Sequence, residues 1–209
     1  MAEPISIDIT IIIICRSGYQ GLHKLINSLN SQNLAMQIIV LANERNAQVH
    51  EYLATHVHKG LKLISFNENF IDVLNTTVAN VTSKLLLIVE AGYLLGHNFL
   101  FNAEEFISKG NTLVHPRFCI YYSGQSALRI FNTNQSRDLF EKTVFEDLIL
   151  GSTELIKKIK FTNLFGNEFW QFYCDAIAAG FKIEFPAKRI IFKTNYYQTG
   201  ISCVNSTNG

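Results

Sequence analysis

The first half of the chain alternates short apolar runs with stretches whose apolar residues recur every three or four positions. Ile7 to Cys15 is a mostly β-branched run closed by Ser17-Gly18-Tyr19-Gln20-Gly21, which predicts a strand and a turn. Leu22, Leu25, Ile26 and Leu29 then share one helical face, and Asn30 to Asn33 supply the stop. The alternation continues with a strand at Gln37 to Ala42, a helix through Val49, Tyr52 and Leu53, and a strand at Leu61 to Phe66. A helix over Phe70 to Val81 follows, and then a strand at Leu85 to Val89 that runs into Glu90-Ala91-Gly92. Strands separated by helices imply an α/β fold with a mostly parallel, Rossmann-like sheet flanked by helices. Open sheets of this kind bind ligands outside the carboxyl ends of their strands, so Cys15-Arg16, Asn43-Glu44 and Glu90-Ala91-Gly92 should meet at one crevice.

Beyond Gly96 the pattern changes to a smaller mixed extension. Phe99 to Ile107 reads as a helix, Thr112 to Tyr122 as an extended segment, and Ser126 to Asn132 as its hairpin partner. Helices are expected near Arg137 to Leu150 and Asn167 to Gly180, with a last strand at Lys182 to Phe192 and a frayed polar tail over 202–209. Trp170, Tyr173, Cys174 and Ile177 follow helical spacing and read as core.

Composition sharpens the class. With 209 residues, 48% hydrophobic, 17% charged and only three prolines, the chain fits one globular domain with a substantial core. Its net charge of +1 provides no broad footprint for nucleic acid. No apolar run approaches the roughly 20 residues that span a bilayer, and the N-terminus lacks a secretory pattern. Cys15, Cys119, Cys174 and Cys203 form no CxxC pair and read as reduced thiols, so a cytoplasmic setting is expected. His56, His58, His97 and His115 show no ligand spacing, and Lys157, Lys158 and Arg189 read as solvated basic faces with phosphate contact as the alternative.

At the predicted strand ends the sequence resembles family 2 glycosyltransferases, which have the GT-A fold. Ile11 to Arg16 resembles the family's opening strand, Leu29-Asn30-Ser31-Gln32 its "SL..Q", and Gln37 to Leu41 its "EIIVV". Asn69 to Asn75 and Ser83 to Val89 follow the family pattern that leads into Asp-x-Asp, with Asn75 on its asparagine. Asn167 to Gly180, then Ile191-Phe192-Lys193 and Ser202, resemble a branch found in bacterial surface-polysaccharide synthesis. The likeness covers roughly residues 7 to 202. It implies a nucleotide-binding half over 1–96 and an acceptor-side half over 97–201 of a single domain.

The resemblance also implies a nucleotide-sugar donor, a glycan acceptor, and Mg or Mn at the diphosphate, at a protein in the cytoplasm or peripheral to the inner membrane. Donor-binding candidates are Cys15, Arg16, Asn43, Glu44, Asn69, Asn75, Glu90 and Gly92, with Glu90 as the candidate metal ligand. Yet all three of the family's acid stations differ. The chain has Ala42-Asn43 after the second strand and Glu90-Ala91-Gly92 in place of Asp-x-Asp. It has Glu168-Phe169 where the family carries Glu-Asp, whose aspartate is the general base. An inverting transfer needs a base for the acceptor hydroxyl and charge compensation for the leaving diphosphate, and phenylalanine supplies neither. Glu168 is the remaining candidate base. The alternative is a non-catalytic docking or scaffold domain that engages a protein partner or other domains of a longer chain.

Overall fold

The computed structural model describes residues 8–16, 19–55, 61–67, 69–100, 110–123, 125–131, 145–164, 166–187 and 189–194. In chain order the first half contributes β1 (Ile9–Cys15), α1 (Tyr19–Asn30), β2 (Gln37–Asn43), α2 (Ala47–Thr55), β3 (Leu61–Phe66), α3 (Phe70–Ala79), β4 (Leu85–Glu90) and β5 (Tyr93–Leu95). The second half contributes β6 (Thr112–Val114), β7 (Phe118–Ser123), β8 (Gln125–Ile130), β9 (Leu148–Ser152), α4 (Thr153–Ile156), α5 (Glu168–Ala178), β10 (Lys182–Glu184) and β11 (Ile190–Thr194).

Seven strands form the main sheet in the order β10-β6-β9-β4-β1-β2-β3. β1, β2, β3 and β4 pair in parallel, as do β6 and β10, while β9 is antiparallel to both its neighbours. The β-branched run of β1 occupies the middle because both faces of a central parallel strand are covered, and every one of its residues is buried. Alternate residues point to opposite faces. Ile11, Ile13 and Cys15 pack with Leu22, Leu25 and Leu29 of α1 and with Val49 and Leu53 of α2. Ile12 and Ile14 join the layer built by Leu74 and Val78 of α3, Ile156 of α4, and Phe169 and Phe172 of α5. Burying one such aliphatic side chain contributes about 1.5–3 kcal/mol.

A second sheet of four strands, β5-β11-β7-β8, lies beyond the end of β4. Here the structure corrects several expectations. The extended segment at Thr112 to Tyr122 breaks at His115–Arg117 and divides between the two sheets, as does the last predicted strand, which becomes β10 and β11. Leu148-Ile149-Leu150, expected to end a helix, form β9 beside β4. Residues 101–109 and 132–144, which carry most of two predicted helices, lie outside the described residues, as do His56, His58 and the tail. On α5 the buried face is Phe169, Phe172, Tyr173 and Ala176, whereas Trp170, Cys174 and Ile177 are only half-buried. Arg189 is not on a solvated face: it is 3% exposed, its guanidinium stands 5.6 Å from the Phe99 ring centre, and burial lowers its pKa to about 10. Among the described residues, no helix is long and apolar enough to cross a membrane.

Candidate functional site

The carboxyl ends of β1 and β4 bring Arg16 and Glu90 together, with Arg16 Nε 3.9 Å from Glu90 Oε1. Because β9 runs antiparallel to β4, the two residues before it, Glu146 and Asp147, fall at the same place. The Glu90 N–H donates to the Asp147 carbonyl at 3.1 Å. Burial first, then repulsion from and hydrogen bonding to Asp147, push the Glu90 carboxyl up to about 7, against the pull of Arg16 and Lys193.

Glu146 is the buried hub of the site, with 3% of its side chain exposed. Each strand of the second sheet sends it one polar group. Tyr93 Oη of β5 donates to Oε2 at 2.7 Å, and Tyr121 Oη of β7 donates to Oε1. Arg129 Nη1 of β8 lies 3.6 Å from Oε1, and Lys193 Nζ of β11 lies 3.5 Å from Oε2. Burial alone would raise the Glu146 pKa, but Lys193, the two hydroxyls and Arg129 prevail and hold it below the usual carboxylate value. Lys193 also reaches Asp147 Oδ2 at 3.4 Å. Burial would lower its pKa, but Asp147, Glu146 and Glu90 raise it, so the ammonium is charged at neutral pH.

His115 fixes this hub from behind. Its Nε2 accepts the Glu146 N–H at 3.0 Å and must be unprotonated, so Nδ1 carries the proton and donates to the Pro116 carbonyl at 2.8 Å. Burial among Phe131, Phe145, Tyr173 and Phe185 lowers its pKa to about 4. The ring is neutral and fully committed to these bonds.

The sequence-predicted residues have varied placements. Glu168 opens α5 behind Asn167, whose Oδ1 accepts the Trp170 N–H at 2.8 Å, and the Glu168 carboxylate contacts the Arg16 guanidinium. Phe169, by contrast, is 2% exposed and belongs to the core, so its side chain does not face the crevice. Cys15 is fully buried, and burial, followed by Glu90, pushes its thiol up to about 12, so only its backbone can face a ligand. Asn43 builds a turn: its Oδ1 accepts the Arg45 N–H at 2.9 Å and its Nδ2 donates to the Asn67 carbonyl at 3.2 Å. Asn43 and Arg16 line a cleft of about 440 Å³ with Arg45, Asn46, Ala47 and Gln48, at the start of α2. Glu44 is exposed beside it, its N–H donating to the Phe66 carbonyl at 2.8 Å.

Asn69 and Asn75 lie apart from this cleft. Asn69 contacts Asp72 and lines a groove between α3 and strands β2 and β3. Asn75 is a structural clamp: it donates to the Phe161 carbonyl and accepts the Phe161 N–H, both at 2.9 Å.

Gly92 follows the end of β4 in a backbone conformation suited to glycine. Its φ of 110° lies in the region that disfavours L side chains. A Cβ added at Gly21 of α1 would meet the Gly92 nitrogen at 2.9 Å, so helix and strand end are in close backbone contact. The donor set does not fit a divalent metal. Among the described residues no three His, Cys, Asp or Glu side chains converge as ligands, and the Asp147 and Glu146 oxygens already face Lys193.

Glu146, Asp147, Tyr93, Tyr121 and Arg129 are not singled out by the sequence, and Lys193 enters it only within Ile191-Phe192-Lys193, with no role attached. Two adjacent acids between Val144-Phe145 and Leu148-Ile149-Leu150 are the signal that could have found the first pair.

No protein family's sequence profile matches the chain, and no curated protein aligns with it. Solved structures do resemble it. The mannosyltransferase PcManGT from Pyrobaculum calidifontis, in complex with GDP-Man and Mn2+, superposes with a TM-score of 0.65 at 13% identity, over 89% of this chain and 56% of that one. S. aureus TarS 1-349 in complex with UDP gives 0.67 at 15% identity, over 90% of this chain and 60% of that one. The chain therefore spans under two-thirds of these glycosyltransferase structures, and the likeness is one of fold: a mostly parallel α/β sheet of the GT-A kind.

Proposed function

We propose that the protein is a family 2-type glycosyltransferase that takes a nucleotide-activated sugar and extends a bacterial surface glycan. The observation that carries this reading is the convergence of Arg16, Glu90, Asp147, Glu168 and Lys193, from separate elements, on the strand ends where an open α/β sheet binds its ligand. Ionisable groups half withdrawn from water are expensive to keep, and their clustering in a cleft is the mark of a functional site. The nucleotide would lie along the Arg16–Asn43–Arg45 cleft, with residues 1–96 holding the donor and 97–201 the acceptor. Such a donor is made in the cytoplasm, which suits a protein working there or at the inner face of the membrane.

In the reaction an acceptor hydroxyl oxygen attacks the anomeric carbon as the bond to the diphosphate breaks. The diphosphate leaves with the bonding electrons, and the hydroxyl proton passes to a carboxylate. Glu168, beside the family's base station, is assigned that role, with Arg16 orienting it. Glu168→Gln should lower sugar transfer by about 10²- to 10⁴-fold. The measurement is release of nucleoside diphosphate from a panel of UDP-, GDP- and dTDP-sugars with glycan acceptors, and unchanged turnover would remove Glu168 from the mechanism.

A second reading, a non-catalytic docking domain, is favoured by the core position of Phe169 and the burial of Glu168. The absence of saturable binding to any nucleotide sugar would select it.

A further inference from the structure

The acids at the end of β4 surround a cation that the chain itself supplies. Lys193 Nζ sits 3.4 Å from Asp147 Oδ2, 3.5 Å from Glu146 Oε2, and 4.8 Å from the ring centre of Tyr93, while Glu90 lies close enough to feel its charge. The ammonium is held on several sides and leaves 30% of its side chain exposed. Register across the second sheet sets this position: Lys193 pairs with Tyr93 of β5 on one side and with Tyr121 of β7 on the other.

A divalent ion at the same point would need these carboxylate oxygens at about 2.0–2.6 Å. It would then lie within a few ångströms of the ammonium and be strongly repelled. The two cations are alternatives. Building on the nucleotide-sugar reading above, we propose that Lys193 takes the divalent ion's place, so that Lys193 and Arg16 meet the donor's diphosphate without metal. Arg16, Arg129 and Lys193 face the carboxylates of Glu90, Glu146, Asp147 and Glu168, so the Glu90 charge opposes a diphosphate and the direct contacts with Lys193 and Arg16 have to outweigh it. In a metal site a carboxylate at this position would be an asset; here its charge is a liability.

The test is calorimetry of UDP and GDP with the full chain, in EDTA and in Mn2+, for the wild type, Lys193→Ala, Lys193→Arg and Glu90→Gln, with thermal melts to confirm folding. The wild type should bind equally well in both media and give no stoichiometric heat with Mn2+ alone. Lys193→Ala should weaken binding about 10- to 100-fold, the loss of one charge-assisted contact, and Lys193→Arg should recover most of it. Glu90→Gln should tighten binding at pH 8 by about three- to tenfold by removing the repelling charge, whereas loss of a metal ligand would abolish it. Wild-type binding that requires Mn2+, full-strength binding by Lys193→Ala, or loss of binding in Glu90→Gln would overturn the metal-free assignment while leaving the glycosyltransferase reading intact. If neither nucleotide binds the wild type in either medium, both fall together. Should Lys193→Ala not fold, the metal dependence of the wild type and the Glu90→Gln result still decide.

Discussion

β4 and β11 flank the crevice and share one apolar cluster, into which β11 sends Ile191, but β11 adds polar contacts that β4 lacks between Leu85 and Val89. Leu85 to Val89 of β4 are covered on both faces by aliphatic and aromatic side chains from helices and neighbouring strands. β11 lies in a smaller sheet that is joined to the main one through Lys193, Tyr93, Tyr121 and Arg129, all directed at one carboxylate. The first arrangement is non-directional and tolerant, because apolar burial depends on area rather than angle. The second is directional and has little tolerance, since removing one partner leaves the others charged and out of water.

The largest effect should come from breaking that carboxylate. Glu146→Ala removes the acceptor shared by Tyr93, Tyr121, Arg129 and Lys193 and should lower stability by about 3–5 kcal/mol in urea denaturation. A loss below 1 kcal/mol would mean that the second sheet is held by its apolar contacts after all.

Acid should separate the two regions next. His115 has a folded pKa of about 4, depressed by burial from an ordinary 6.5, so its contribution is full above pH 6.5 and is lost as pH falls through about 4. Glu146 is depressed below its ordinary 4.5, so its contribution is present above that value and fades further down. Glu90, faced by Arg16, Asp147 and Lys193, has the opposite sign. Its folded pKa of about 7 lies above the unfolded value of 4.5, so its contribution is full below 4.5 and is lost as pH rises through 7. Between pH 6.5 and 4, amide protection in β7, β8 and β11 should therefore fall well before that of β1, β2 and β4. Simultaneous loss across both sheets would contradict the distinction.

A smaller effect is expected from placing an acid at position 92. Gly92→Asp places a side chain at a φ of 110° and should cost about 1–3 kcal/mol, read as a lower melting temperature, with no stoichiometric Mn2+ site gained. An unchanged melting temperature would show that the backbone at position 92 accommodates a side chain, and a new Mn2+ site would contradict exclusion of the ion by Lys193.

The same contrast explains what could be read in advance. β1, β2 and β4 are legible because a doubly covered parallel strand must be an apolar run, and their carboxyl ends follow from topology alone. β5 and β10, with three residues each, are too short to carry a period. β9 reads from sequence as the end of a helix because Leu148-Ile149-Leu150 is equally compatible with either state. The crevice is legible as far as β1, β2 and β4 reach and at Glu168 of the last helix. Asp147 and Lys193 are 46 residues apart, and only the antiparallel insertion of β9 together with the pairing of β11 brings them to one place.

The convergence on Glu146 has one more consequence, for how the chain finds its fold. Side chains alternate across a strand, so a slip of one residue in β5, β7, β8 or β11 would turn that strand's contributor to the opposite face. Glu146 would then lose a partner and remain buried with an uncompensated charge. The carboxylate thus works as a proofreading element: four separate alignments must all be correct before it is satisfied, and misaligned sheets are penalised one strand at a time.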